Sequence, residues 1–150
     1  MIEFIVAVHP VINLKTKETK MNDQQIESEI LSKNLTARRI KPADLENIIV
    51  YEAYFTAEHG IEGAMSRLQL HQRTPGDRVV SSTSLNQVTI CCLVLKNGTK
   101  IIGVNTGPVS PGNFDADLAR KLARSNATDQ IWPMLGYELR TKLAEENSNA

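Results

Sequence analysis

The side chains best placed to do chemistry in this chain are its cations. Lys33, Arg38, Arg39 and Lys41 form a run ahead of a helix, Arg67, Arg73 and Arg78 flank a Pro-Gly loop, and Arg120 and Arg124 stand four apart on a helical pattern. Two like charges at that spacing repel by roughly 0.2–0.5 kcal/mol, and a bound anion reverses the sign. The competing explanation is a solvated face, with Asp117 one turn back as the balancing charge. Aromatic residues make up 5% of the chain, and Phe114 and Trp132 suit a core better than a ligand platform. An aromatic against a base, with arginine on the phosphate, is the simplest nucleotide site such residues can build.

Catalytic sets are missing from the pattern. Nucleophilic catalysis needs a base within reach of the nucleophile. His9, His59 and His71 stand in turns or polar segments with no motif beside them. Cys91 and Cys92 are neighbours in an apolar run, so they point to opposite faces and suit reduced core thiols rather than an ordinary disulfide. Burial there suppresses the thiolate. No ligand spacing suggests a metal, and Gly107 and Gly112 do not fit a phosphate loop. The expectation is a binding protein with no enzyme activity, cofactor or metal.

The elements that must hold these residues are set by periodicity. Residues 2–8 (IEFIVAV) read as a strand, and Met21 offers a second start. Residues 22–33 are helical, with Ile26 and Ile30 four apart, Leu31 widening the stripe and Asn34 as a stop. A second helix begins at Pro42 and carries Leu45, Ile48, Ile49 and Glu52; residues 51–57 fit helix end or strand equally. Gly60 and Gly63 loosen the next segment, and RTPGDR at 73–78 is a turn. VTICCLVL, KNGT and KIIGV then give a hairpin. Ser110 and Pro111 suit a helix start, Phe114, Leu118 and Leu122 a core stripe, and Pro133 a break, after which Leu135, Leu139 and Leu143 continue the pattern.

The fold expected is α+β: a small antiparallel sheet with a central hairpin at about 88–95 and 100–105, packed by two N-terminal helices and a long Pro-broken C-terminal helix. Residues 1–20 are expected to be an N-terminal arm or an upstream extension, 21–145 one domain and 146–150 a disordered tail. The apolar share is 41%, ample for a core in 150 residues. Seventeen basic residues against seventeen acidic ones give no excess charge for nonspecific nucleic-acid or membrane binding. No stretch spans a bilayer, and residues 1–8 lack the basic start of a signal peptide, so the cytoplasm is the expected compartment.

VTICCLVLKNGTKIIG, followed by VSPGNFDADLARKLARSNATDQIWPMLGYELRTKL, resembles a tailed-phage family named after gene products forty-nine and sixty-six. LTARRIKPADLENIIV and YFTAEHG resemble its amino half, so the likeness covers about residues 21–143. Through that family the chain is similar to the first class of anti-Thoeris sponges. The resemblance implies a counter-defence protein in the host cytoplasm that sequesters a cyclic ADP-ribose-type signal or cyclic oligonucleotide without cleaving it. It implies a dimer-based assembly with pockets between protomers. Carried over, Arg39, Arg120 and Arg124 are phosphate-side cations, and Asn113 and Phe114 hold the "NF" positions. The chain departs from the pattern at Thr99, where an aromatic is usual, at Arg38, and in the longer connection over 67–86. The alternative is an accessory protein that binds and modulates a host protein.

Overall fold

A computed structural model describes residues 22–67 and 85–150, in two units divided after Leu35. The expected strand at 2–8, the choice of start at Met21, His9, His71 and the loop at 73–78 lie outside the described residues.

The first unit contains helix α1 (Asp23–Ser32). Asn22 and Gln25 cap it reciprocally, each side chain accepting from the other's backbone N–H at 2.8 and 2.9 Å. Asn34 ends it at φ 54, the left-handed geometry asparagine tolerates best after glycine.

The second unit begins with α2 (Pro42–Ile48), where Asp44 accepts from the Lys41 backbone N–H at 2.8 Å. The expected helix through Glu52 stops here. The run Ile48-Ile49-Val50-Tyr51 is β-branched and aromatic, favours strand, and becomes β1 (Ile49–Thr56). β1 leads directly into α3 (Ala57–Arg67), a helix that Gly60 and Gly63 do not prevent. A short 3-10 turn at Leu85–Gln87 precedes β2 (Thr89–Leu95) and β3 (Lys100–Asn105). All pairings are antiparallel, in the order β1-β2-β3. The hairpin falls where expected. Its loop has three residues, closed by the Leu95 N–H on the Thr99 carbonyl at 2.8 Å, with Gly98 at φ 83.

Helices α4 (Ala116–Thr128) and α5 (Ile131–Ser148) complete the unit. The break falls at Asp129-Gln130, ahead of Pro133. Pro133 is the third residue of α5, in a first turn whose N–H groups have no helical partner to lose. Helix α5 also continues through Ser148, into the segment expected to be a tail. The cap of α4 is Asp115, which accepts from the Leu118 backbone N–H at 2.7 Å; Ser110 instead precedes a 3-10 turn at Pro111–Asn113.

One face of the sheet carries Thr89, Cys91, Leu93, Leu95 and Ile101, all buried, and packs on α4. The stripe that α4 buries is Ala119, Ala123 and Ala127, and Leu118 and Leu122 are left 53% and 43% exposed. The reason is Gly103. A Cβ there would lie 2.1 Å from the Ala123 carbonyl oxygen and 2.7 Å from the Ala127 Cβ. The helix rides so close to β3 that only small side chains fit between them. Leu45 from α2 and Ile131 from α5 close this core.

At the edge of the sheet, Asn126 and Gln130 donate side-chain amides to the Val104 and Ile102 carbonyls at 2.9 and 2.8 Å. No helix among the described residues is long and apolar enough to cross a membrane.

Candidate functional site

The end of β1, the start of α3, the turn before β2 and the start of α4 meet around a recess of about 200 Å³. Tyr54 and Phe55 come from β1, His59 from α3, Asn86 from the 3-10 turn, and Phe114 and Arg120 from the start of α4. The local geometry is fixed from several sides. Thr56 accepts the His59 backbone N–H at 3.2 Å, and the Ala57 N–H reaches the Val88 carbonyl at 2.9 Å, extending the β1–β2 ladder into the helix. Asp115 sets the first turn of α4, which places Phe114 before it and Arg120 one turn beyond.

The tyrosine wall is held from behind. Tyr54 donates its hydroxyl to Glu52, and Glu52 accepts from Arg124 Nε at 3.1 Å. Arg124 also grips Glu46 through Nη1 at 3.0 Å and Nη2 at 2.7 Å. This fork joins α4 to both α2 and β1. Burial raises the Glu52 carboxyl, but the bonds from Tyr54 and Arg124 and the charge of Arg124 outweigh it and leave the group below its ordinary 4.5. Burial, and then the neighbouring Glu52, push the Tyr54 hydroxyl well above its usual range. The bonds to Glu46, against burial, keep Arg124 firmly charged. Burial raises the Cys91 thiol, which suits a core residue and not a nucleophile.

Of the five residues singled out in the sequence, Phe114 and Arg120 share this recess. Asn113 lines a neighbouring hollow of about 120 Å³, whose common wall with the first is Phe114. Arg124 turns away, its fork given to two carboxylates. Arg39 is half-buried ahead of α2 and lines neither hollow. Arg120 is exposed and forms no salt bridge among the described residues; Asp117 does not pair with it. Tyr54, Phe55, His59 and Asn86 are among the lining residues the sequence did not single out for binding. Their only signals were an aromatic pair and a lone histidine.

A larger recess of about 330 Å³ opens beside the hairpin loop. Its walls are Ile48, Leu95, Ile131 and Leu135, with Lys96 and Thr99 at the mouth. Thr99 thus borders the largest of these hollows. Among the described residues no three His, Cys, Asp or Glu side chains cluster as a metal would require.

No curated protein and no solved structure matches the chain. Residues 40–143 match the model of the family described as "Phage protein (N4 Gp49/phage Sf6 gene 66) family". That span takes in all three hollows, the hairpin and the Arg124 fork, and with it more than half of the sequence: the chain belongs to the N4 Gp49/Sf6 gene 66 family of phage proteins.

Proposed function

We propose that this phage protein is a counter-defence sponge, which binds a cyclic nucleotide or cyclic ADP-ribose-type signal and holds it unchanged in the host cytoplasm. The observation that carries the reading is the meeting of Phe114 and Arg120, from one end of α4, with Tyr54, His59 and Asn86 in a single recess. A ring face for a base, an amide for its edge and a guanidinium that forms no salt bridge among the described residues are the chemistry a nucleotide needs. At about 200 Å³ the recess is smaller than the roughly 300–1,000 Å³ of ordinary ligand sites. A whole cyclic dinucleotide therefore needs a second wall, and a second protomer supplies it in this reading.

Calorimetry against cyclic ADP-ribose isomers and cyclic di- and trinucleotides tests the proposal. A ligand present at a hundred times its Kd adds about 2.7 kcal/mol to stability, so the melting temperature rises with it. Heating the complex should release the ligand intact. Arg120→Ala and Phe114→Ala should each weaken binding tenfold or more. Absence of binding to every one of these ligands removes the proposal, and recovery of a cleaved product makes the protein an enzyme.

The second reading is a modulator of a host protein. It draws on Leu118 and Leu122, which stand exposed on α4 beside Phe114. In that case nucleotides leave the melting temperature unchanged, and a host protein co-purifies with the wild type but not with Leu118→Asp.

A further inference from the structure

Two polar side chains are buried among the described residues, Thr89 at 4% exposure and Thr128 at 7%. A buried hydroxyl without a partner costs stability, so a fold normally supplies one. Thr128 follows the rule: its hydroxyl donates to the Ser125 carbonyl at 3.1 Å. Thr89 does not. Its backbone is held in the ladder opposite Thr56, but no described residue gives its hydroxyl a hydrogen bond. Thr89 opens β2 and lines the recess that also holds Phe114 and Arg120. Thr56, directly across the ladder, shares that face and lines the same recess. The Thr56 oxygen accepts the His59 backbone N–H, which leaves its own hydrogen to give. The buried end of the recess therefore carries two threonine hydroxyls, one of them wholly unused, beside the rings of Tyr54, Phe55 and Phe114. The exposed end carries His59, Asn86 and Arg120.

We infer that Thr89 is a specificity-determining residue of this recess: its hydroxyl exchanges a hydrogen bond with a heterocyclic base that enters edge first and leaves its phosphate at the mouth. The inference rests on the nucleotide reading above and adds which end of the ligand is buried and which side chain reads it. Three arguments fix the orientation. A phosphate at the floor would meet hydroxyls and ring carbons but no cation, and an anion taken out of water in that way is strongly disfavoured. At the mouth it stays hydrated and within reach of the Arg120 guanidinium. A base edge alternates donors and acceptors, either of which a threonine hydroxyl can match, and its flat faces suit the three rings. Size agrees as well. About 200 Å³ falls below the roughly 300–1,000 Å³ of a site for a whole drug-sized ligand, and suits a single ring system. The unused hydroxyl then supplies selectivity. A base with a matching edge atom relieves the cost that the free protein carries, whereas a ligand without one leaves the hydroxyl unpaired and is rejected.

Thr89→Val keeps the shape of the side chain and removes the hydroxyl, so stability and binding should move apart. The free variant, as the full chain, should melt no lower than the wild type, because nothing in the protein loses a partner. Its affinity for adenosine 5′-monophosphate in calorimetry should fall about tenfold. Thr89→Ser, which keeps the hydroxyl, should bind as the wild type does. Ribose 5-phosphate, which offers the anion without a base, should not compete. A Thr89→Val protein that melts well below the wild type, or does not fold, has lost an internal hydrogen bond, and that result overturns the inference. So does competition by ribose 5-phosphate as strong as that of adenosine 5′-monophosphate. Cyclic signals that bind wild type and Thr89→Val alike would sink this inference and spare the sponge. Cyclic signals that do not bind, while adenosine 5′-monophosphate binds through Thr89, would do the reverse. A wild type that binds neither loses both.

Discussion

The two faces of one three-stranded sheet are built on opposite rules. Where α4 crosses β3, side chains have been reduced until backbone nearly meets backbone: Gly103 faces Ala123 and Ala127 with no room for another carbon. On the other face the side chains are large and apolar, and Ile102, next to Gly103 in the chain, is more than half exposed. Neighbouring residues on β3 therefore answer to different constraints. Inward positions are limited by volume, and outward positions by what eventually covers them. Substitutions on the first face should therefore cost more stability than substitutions on the second.

The sharpest way to break this contrast is Gly103→Val. It forces branched carbons into space held by the Ala123 carbonyl, and stability should fall by about 3 kcal/mol or more in urea denaturation. A loss under ~1 kcal/mol would mean that α4 can retreat from the sheet. Arg124→Ala removes the fork that ties α4 to α2 and β1, and should cost about 2 kcal/mol by the same measurement. The Glu52 carboxyl supplies a pH signature. Its folded value lies below the ordinary 4.5, so its contribution is complete above that pH and is lost as the pH falls through the folded value. Acid titration of the melting temperature should show a decline that is smaller in Glu52→Gln than in the wild type. The smallest effect belongs to the outward face. Val104→Thr, measured at concentrations low enough to exclude association, should change stability by no more than ~0.5 kcal/mol.

The hairpin was legible in the sequence because two local signals agree there: an apolar run and an Asn-Gly turn. β1 was not, because residues 48–56 fit helical spacing as well as alternation, and pairing with β2 decides between them. Leu118 and Leu122 were misread as core because hydrophobicity was weighed without size. The telling pattern was a glycine on β3 opposite alanines at 119, 123 and 127, and it emerges only when strand and helix are placed together. At the site, Arg120 could be picked out by its four-residue spacing from Arg124, and Phe114 as a rare aromatic at the "NF" position of the family resemblance. Tyr54, His59 and Asn86 arrive from segments tens of residues away, without a motif to join them. Arg120 and Arg124 carry the same charge on the same helix, yet only Arg124 has carboxylates facing it from α2 and β1, a distinction that no spacing rule contains.

The amides of Asn126 and Gln130 on β3 also bear on what this chain can become when concentrated. Growth of a fibril along the hydrogen-bonding direction requires a unit that is adhesive at both ends, as polymerisation requires a bifunctional monomer. A sheet whose Ile102 and Val104 carbonyls are already taken by Gln130 and Asn126 behaves as a chain terminator on that side: among the described residues only the β1 edge is left to accept a neighbour, and the row stops there.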